Sequence, residues 1–215
     1  MDDAARPLPL LVVLHGDRGD VERMTRAWGK AAAERGVVLA SLACPRDRGC
    51  NASWWRWYLG ERHDEGWLGA QIDAIVASTP IDRRRIYAAG YSGGASYLGY
   101  YLPTHPDRFA AACYAAGGVR FVTSCSPCKT PVEFVIGSTD PMLALYVGSL
   151  RRWYEDCGGH PIEWQLLPGV SHEAMVDVLA AGKAAEIVAW LLAHENICPA
   201  PSPGRAESHP KNVLP

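Results

Sequence analysis

The chain has 215 residues, 48% hydrophobic and 20% charged, with a formal charge of -2 at pH 7. That composition supports one domain with a buried core and excludes a wholly disordered chain or a coiled coil. The near-balanced charge leaves no footprint for nucleic acid or an anionic membrane, and no apolar run approaches the ~20 residues that span a bilayer.

From residue 8 to 194, short apolar runs rich in β-branched residues alternate with segments of helical period. This is the pattern of an α/β fold, a mainly parallel sheet of about six strands with helices on both faces. Strands are expected over 8–14, 37–43, 85–89, 109–115, 132–136 and 162–167. Between them, apolar residues recur every three or four positions, as in Val21, Met24, Trp28 and Ala31, or Ala184, Ile187, Val188 and Leu191. Each series gives a helix one core-facing stripe. The connection from residue 44 to about 60 is long and carries Trp54, Trp55, Trp57 and Tyr58. Such loops leave the carboxyl ends of parallel strands, where ligands bind, so this one is expected to wall a site. A single domain is expected over 1–197, with no large lid, and residues 198–215, rich in proline, are expected to be a disordered tail.

Gly90-Tyr91-Ser92-Gly93-Gly94 stands between a strand and a helical run, the setting a G-x-S-x-G motif requires. There a sharp turn exposes the serine at a helix N-terminus, with the amide of Gly93 aimed at an oxyanion. A hydroxyl needs a base held by a carboxylate. Asp140 follows the expected strand of 132–136 and His172 that of 162–167, in the order Ser, Asp, His. Ser92 is therefore the candidate nucleophile, His172 the base and Asp140 its orienting acid. The first strand ends in His15-Gly16-Asp17-Arg18-Gly19, so Asp17 is expected to supply the second oxyanion N–H beside Gly93. Tyr91, Trp54, Trp55 and Trp57 are the candidate substrate contacts. No cofactor is expected.

Carried by His15-Gly16-Asp17-Arg18-Gly19, Gly90-Tyr91-Ser92-Gly93-Gly94, Gly137-Ser138-Thr139-Asp140 and Gly169-Val170-Ser171-His172, the chain resembles the α/β-hydrolase family over residues 8 to about 194. It is most similar to the polyhydroxybutyrate depolymerase and feruloyl esterase group in Ile81-Asp82-Arg83-Arg84-Arg85-Ile86-Tyr87 and in Trp153 followed by Cys157-Gly158. The resemblance implies a serine esterase acting on a small-molecule or polymeric carboxylic ester or thioester through an acyl-enzyme. An acyltransferase and an inert ligand-binding relative are the alternatives. No metal, nucleic acid or membrane partner is expected.

Seven cysteines leave at least one unpaired within the chain. Cys125 and Cys128 with Cys157 and His160 have a spacing that fits zinc, a disulfide from Cys157 to Cys125 or Cys128, or free thiols. Cys44 and Cys50 could staple the aromatic loop. Met1-Asp2-Asp3 lacks the basic start of a signal peptide, so a cytoplasmic location is expected, or a periplasmic or secreted one if the N-terminus is truncated.

Overall fold

The computed structural model describes residues 6–45, 57, 65–122 and 124–198. Among them, six strands form one parallel sheet in the order β2-β1-β3-β4-β5-β6. The strands are β1 (Leu8–Leu14), β2 (Val38–Leu42), β3 (Ile81–Tyr91), β4 (Ala111–Ala115), β5 (Val132–Gly137) and β6 (Ile162–Leu167). Central strands read as unbroken apolar runs because both faces are covered; Val12, Ala88, Ala112 and Phe134 are wholly buried.

From β1 the chain steps out to β2, then returns past β1 to β3. Crossovers between parallel strands are right-handed, so this reversal sends the helices before and after it to opposite faces. One face carries α1 (Val21–Ala33), packed against α5 (Met175–Val178) and α6 (Ala184–Leu191). The other carries α2 (Glu65–Ser78), α3 (Gly93–Thr104) and α4 (Gly148–Cys157). Arg108, just after α3, pairs with Asp73 of α2 at 2.9 Å, and Gly99 of α3 faces Leu150 of α4. Asp20 starts α1 by accepting the Arg23 N–H, and Met24, Trp28 and Ala31 form its buried stripe. The reversal lies between β1 and β3, where open parallel sheets bind ligands.

The strand of 85–89 begins earlier, at Ile81, and runs to Tyr91. One π-helical turn, Leu143–Val147, leads into α4. Cys125 is disulfide-bonded to Cys157 and Cys128 to Cys198. His160 donates or accepts at Nδ1 with the Thr130 carbonyl oxygen, so the residues spaced for zinc are engaged otherwise. Among the described residues no cluster could hold a metal ion. The bond to Cys128 also ties down Cys198, which sequence placed in the tail; residues 199–215 lie outside the described ones. Cys44 is disulfide-bonded, whereas Cys50 falls outside the described residues. Cys113 is the free, buried thiol among the described residues.

Glu133 of β5 is wholly buried beside Cys113 of β4 and Glu163 of β6. Gln165 donates to its Oε1 at 2.5 Å, Lys183 donates to Gln165 in turn, and Oε2 has no hydrogen-bond partner. Burial, with Glu163 and Glu186 adding, pushes the carboxyl up to about 7, against the pull of Lys183 and Gln165. An ordinary carboxyl titrates near 4.5, so between these values the folded chain keeps a proton that the unfolded chain releases. Stability therefore falls as pH rises through that window, by on the order of 3 kcal/mol, and levels off above it. Glu133→Gln is expected to abolish this part of the pH dependence and to exceed the parent's stability at pH 8. Urea melts at pH 5 and pH 8 measure both.

Candidate active site

All six strands are parallel, so the loops after β1, β3, β5 and β6 meet at one edge. The turn after β3 is the most constrained. Ser92 sits there at φ 53°, ψ −113°, a left-handed conformation that non-glycine residues avoid. It is held by its own N–H to the Ala115 oxygen at 3.0 Å and by its oxygen, which accepts the Ser96 N–H at 2.9 Å. The flanking glycines are steric necessities. A Cβ on Gly90 would stand 2.5 Å from the Ala95 nitrogen, and one on Gly94 2.5 Å from the Leu14 oxygen.

Ser92 Oγ donates to His172 Nε2 at 2.8 Å, and His172 Nδ1 donates to Asp140 Oδ2 at 2.9 Å. The three predicted side chains thus form one hydrogen-bonded line. The Asp140 side chain is fully buried and that of His172 is 21% exposed, so the imidazole meets solvent while its anchor does not. Asp140 also accepts the Met142 N–H on Oδ1 at 2.8 Å. One carboxylate therefore caps the turn after Pro141 and holds the imidazole. The acid and base loops are stitched together: Thr139 Oγ1 donates to the Val170 oxygen at 2.8 Å and Gly169 N to Ser138 Oγ at 2.9 Å. A Cβ on Gly137 would collide with the Val170 oxygen.

The loop after β1 turns back through the Gly19 N–H on the Gly16 oxygen, 2.9 Å, with Arg18 at φ 58°. This turn brings Asp17 to Gly93. The Asp17 nitrogen would lie 2.9 Å from a Cβ on Gly93, and the Asp17 carboxylate occupies that same space. Two backbone nitrogens of residues 17 and 93 are thereby brought to the side of Ser92. The base of the turn is His15, buried, whose Nε2 accepts the Cys44 N–H at 3.1 Å. Its Nδ1 then carries the proton, which it donates to the Gly16 oxygen at 2.7 Å. Burial lowers its pKa, with the Gly16 hydrogen bond and Asp17 opposing, and a neutral ring suits both contacts.

The solved structure of SOBER1 from Arabidopsis thaliana matches this architecture with a TM-score of 0.68 at 16% identity, covering 86% of this chain and 98% of that one. A Bacillus cereus carboxylesterase matches with a TM-score of 0.65 at 16% identity, over 89% of this chain and 90% of its own. The fold is the α/β-hydrolase fold. Among curated proteins, a bifunctional acetylxylan esterase/xylanase of Neocallimastix patriciarum is 27% identical over 137 residues, 63% of this chain. That stretch spans only 20% of the relative's length. No family model matches the chain.

Within the α/β-hydrolase fold the candidate substrate contacts separate. Trp54 and Trp55 lie outside the described residues. Trp57 is 6% exposed, donates its Nε1–H to the His15 oxygen at 2.6 Å and packs on His15, Trp67 and Tyr97. It anchors the Asp17 loop instead of walling a pocket. Nothing in its local sequence signalled this, because the partner is 42 residues away. Trp57→Ala is expected to cost roughly 3–5 kcal/mol of stability and to slow every ester alike, read from the melting temperature and from kcat/KM on acetyl and bulky esters. Tyr91, the other candidate contact, points its hydroxyl at the His172 backbone. Sequence reading also passed over Gly117, where a Cβ would stand 2.5 Å from the Ser92 oxygen. The paired Gly117-Gly118 at a strand end was the available signal. On the same sheet edge, a cavity of about 750 Å³ opens beside the end of β2, lined by Leu42, Pro45, Trp67 and Gln71.

Proposed function

We propose that this chain hydrolyses carboxylic esters or thioesters through an acyl-enzyme on Ser92. The observation that carries the reading is the unbroken line from Ser92 Oγ through His172 to a buried Asp140 carboxylate, on a strained turn beside the Asp17 and Gly93 nitrogens.

In the reading, Ser92 Oγ attacks the acyl carbon while His172 Nε2 takes its proton, and Asp140 stabilises the imidazolium. The N–H groups of Asp17 and Gly93 receive the charge that develops on the carbonyl oxygen. Collapse of the tetrahedral intermediate expels the alcohol or thiol, which takes the proton from His172. Water, deprotonated by the same imidazole, then attacks the acyl-enzyme and releases the acid. No step calls for a cofactor. The named esterase activity of the Neocallimastix relative supports ester substrates, and the two disulfides together with the bonded Cys44 favour an oxidising compartment over a cytoplasmic one. No described helix is long and apolar enough to cross a membrane.

A fluorophosphonate is expected to label Ser92 stoichiometrically and to block turnover of a nitrophenyl ester. Product analysis with an added alcohol then shows whether water or the alcohol resolves the acyl-enzyme. A chain that neither labels nor turns over any ester sinks the proposal.

A further inference from the structure

Tyr91 immediately precedes the strained Ser92, and its backbone is the last rung of β3, paired with Ala115 of β4. Its side chain leaves that rung and reaches into two other loops. On one side, the ring lies so close to Gly16 that a Cβ there would stand 2.8 Å from the ring edge. On the other, it packs on the imidazole of His172 with 5.5 Å between ring centroids and 31° between planes. The Tyr91 hydroxyl is committed as well, donating to the His172 backbone oxygen at 2.9 Å, where the Met175 N–H approaches more distantly at 3.4 Å. A tyrosine so placed has its polar end, one ring edge and its imidazole-facing side engaged by protein.

His172 thus has two mounts. The stitches of Thr139 and Ser138 hold the front of its loop to the acid loop through Val170 and Gly169. Nothing in those stitches fixes residue 172 itself. Asp140 holds the imidazole by Nδ1, and Tyr91 grips the residue by its backbone oxygen and by its ring. Because the same tyrosine is covalently joined to Ser92 and seats Gly16, a single side chain sets three loops relative to each other.

We propose that Tyr91 is a positioning residue, holding His172 at hydrogen-bond distance from Ser92 and seating the Asp17 loop against the same turn. The inference rests on the ester-hydrolysis reading for its kinetic consequences, and replaces substrate contact as the role of this side chain. A displacement of an ångström at a proton-transfer group lowers turnover without changing what the pocket binds.

Tyr91→Phe keeps the ring and removes the grip on the His172 oxygen, and Tyr91→Leu removes both. The expected loss in kcat is about three- to tenfold for the first and about a hundredfold for the second, with KM unchanged and with acetyl and bulky esters affected alike. On an Asp140→Asn background, Tyr91→Phe should cost little more, because the imidazole is already misdirected. An acyl-dependent rise in KM, full additivity with Asp140→Asn, or unchanged kcat in Tyr91→Phe overturns the assignment. The downfield Nδ1 proton of His172 in the NMR spectrum gives a readout that needs no turnover, and it is expected to shift or broaden in Tyr91→Phe. If the parent cleaves no ester yet this signal changes, the esterase reading fails and the positioning role stands. If the parent is active and the signal and kcat are unchanged, the positioning role fails and the esterase reading stands.

Discussion

Ser92→Ala is expected to lower kcat for a nitrophenyl ester by about 10⁴- to 10⁶-fold, and His172→Ala by a similar factor. The two changes together should cost no more than either alone, since the hydroxyl and the imidazole act as one unit. Folding should be spared. The left-handed conformation at position 92 burdens alanine as it does serine, and the backbone bonds to Ala115 and Ser96 do not involve the hydroxyl. Steady-state kinetics with a melting curve for each variant are sufficient. Retention of a tenth or more of the parent's kcat by Ser92→Ala would mean that another nucleophile does the work.

Asp140→Asn is expected to cost about 10³- to 10⁴-fold in kcat. The physical reason is visible in the two oxygens of Asp140. Oδ1 caps the Met142 N–H and Oδ2 receives His172 Nδ1–H. Asparagine keeps one oxygen, which the cap can retain, and so turns its amide toward the imidazole. Two donors then face each other unless the ring moves its proton to Nε2, where it can no longer accept from Ser92. Stability should change little while turnover collapses, and Asp140→Ala, which loses the cap too, should also unfold earlier. Measuring kcat and the melting temperature for both variants separates the two duties. If Asp140→Asn turns over within tenfold of the parent, the acid is elsewhere, and Glu173, which accepts from Ser171 at 3.2 Å, is the next to replace.

The hydrogen-bonded line of Ser92, His172 and Asp140 was legible because a parallel sheet delivers the end of every strand to one edge, where these three residues meet. The start of β3 was obscured by Arg83, Arg84 and Arg85, half-buried or exposed residues that break the apolar run between the β1 pairings at Ile81 and Ile86. There the register with β1 shifts between Leu8 and Leu10, an irregularity with no signature in side-chain pattern. Trp57 looked like a pocket wall because aromatic density in a loop does not reveal whether a ring faces substrate or its own scaffold; the His15 oxygen decides that. The same holds for Tyr91, whose hydroxyl reaches the His172 backbone oxygen. The pairing of Cys128 with Cys198 spans 70 residues, and spacing carries no information over such a distance.

The two disulfides of known pairing join chain segments that enter the sheet or run beneath it. Cys125 and Cys128 precede β5, Cys157 closes α4 ahead of β6, and Cys198 follows Asn196, whose N–H bonds the Arg84 oxygen near the start of β3. These two clasps therefore lie at the amino edge, opposite Ser92, Asp140 and His172, whereas bonded Cys44, just after β2, lies at the carboxyl edge. This separation gives the protein a foundation and a workbench that can be altered independently. The carboxyl-edge loops after β3, β5 and β6 are open to lengthening or exchange without disturbing either clasp. Tethering the chain to a solid support through its amino edge would likewise leave the workbench facing outward.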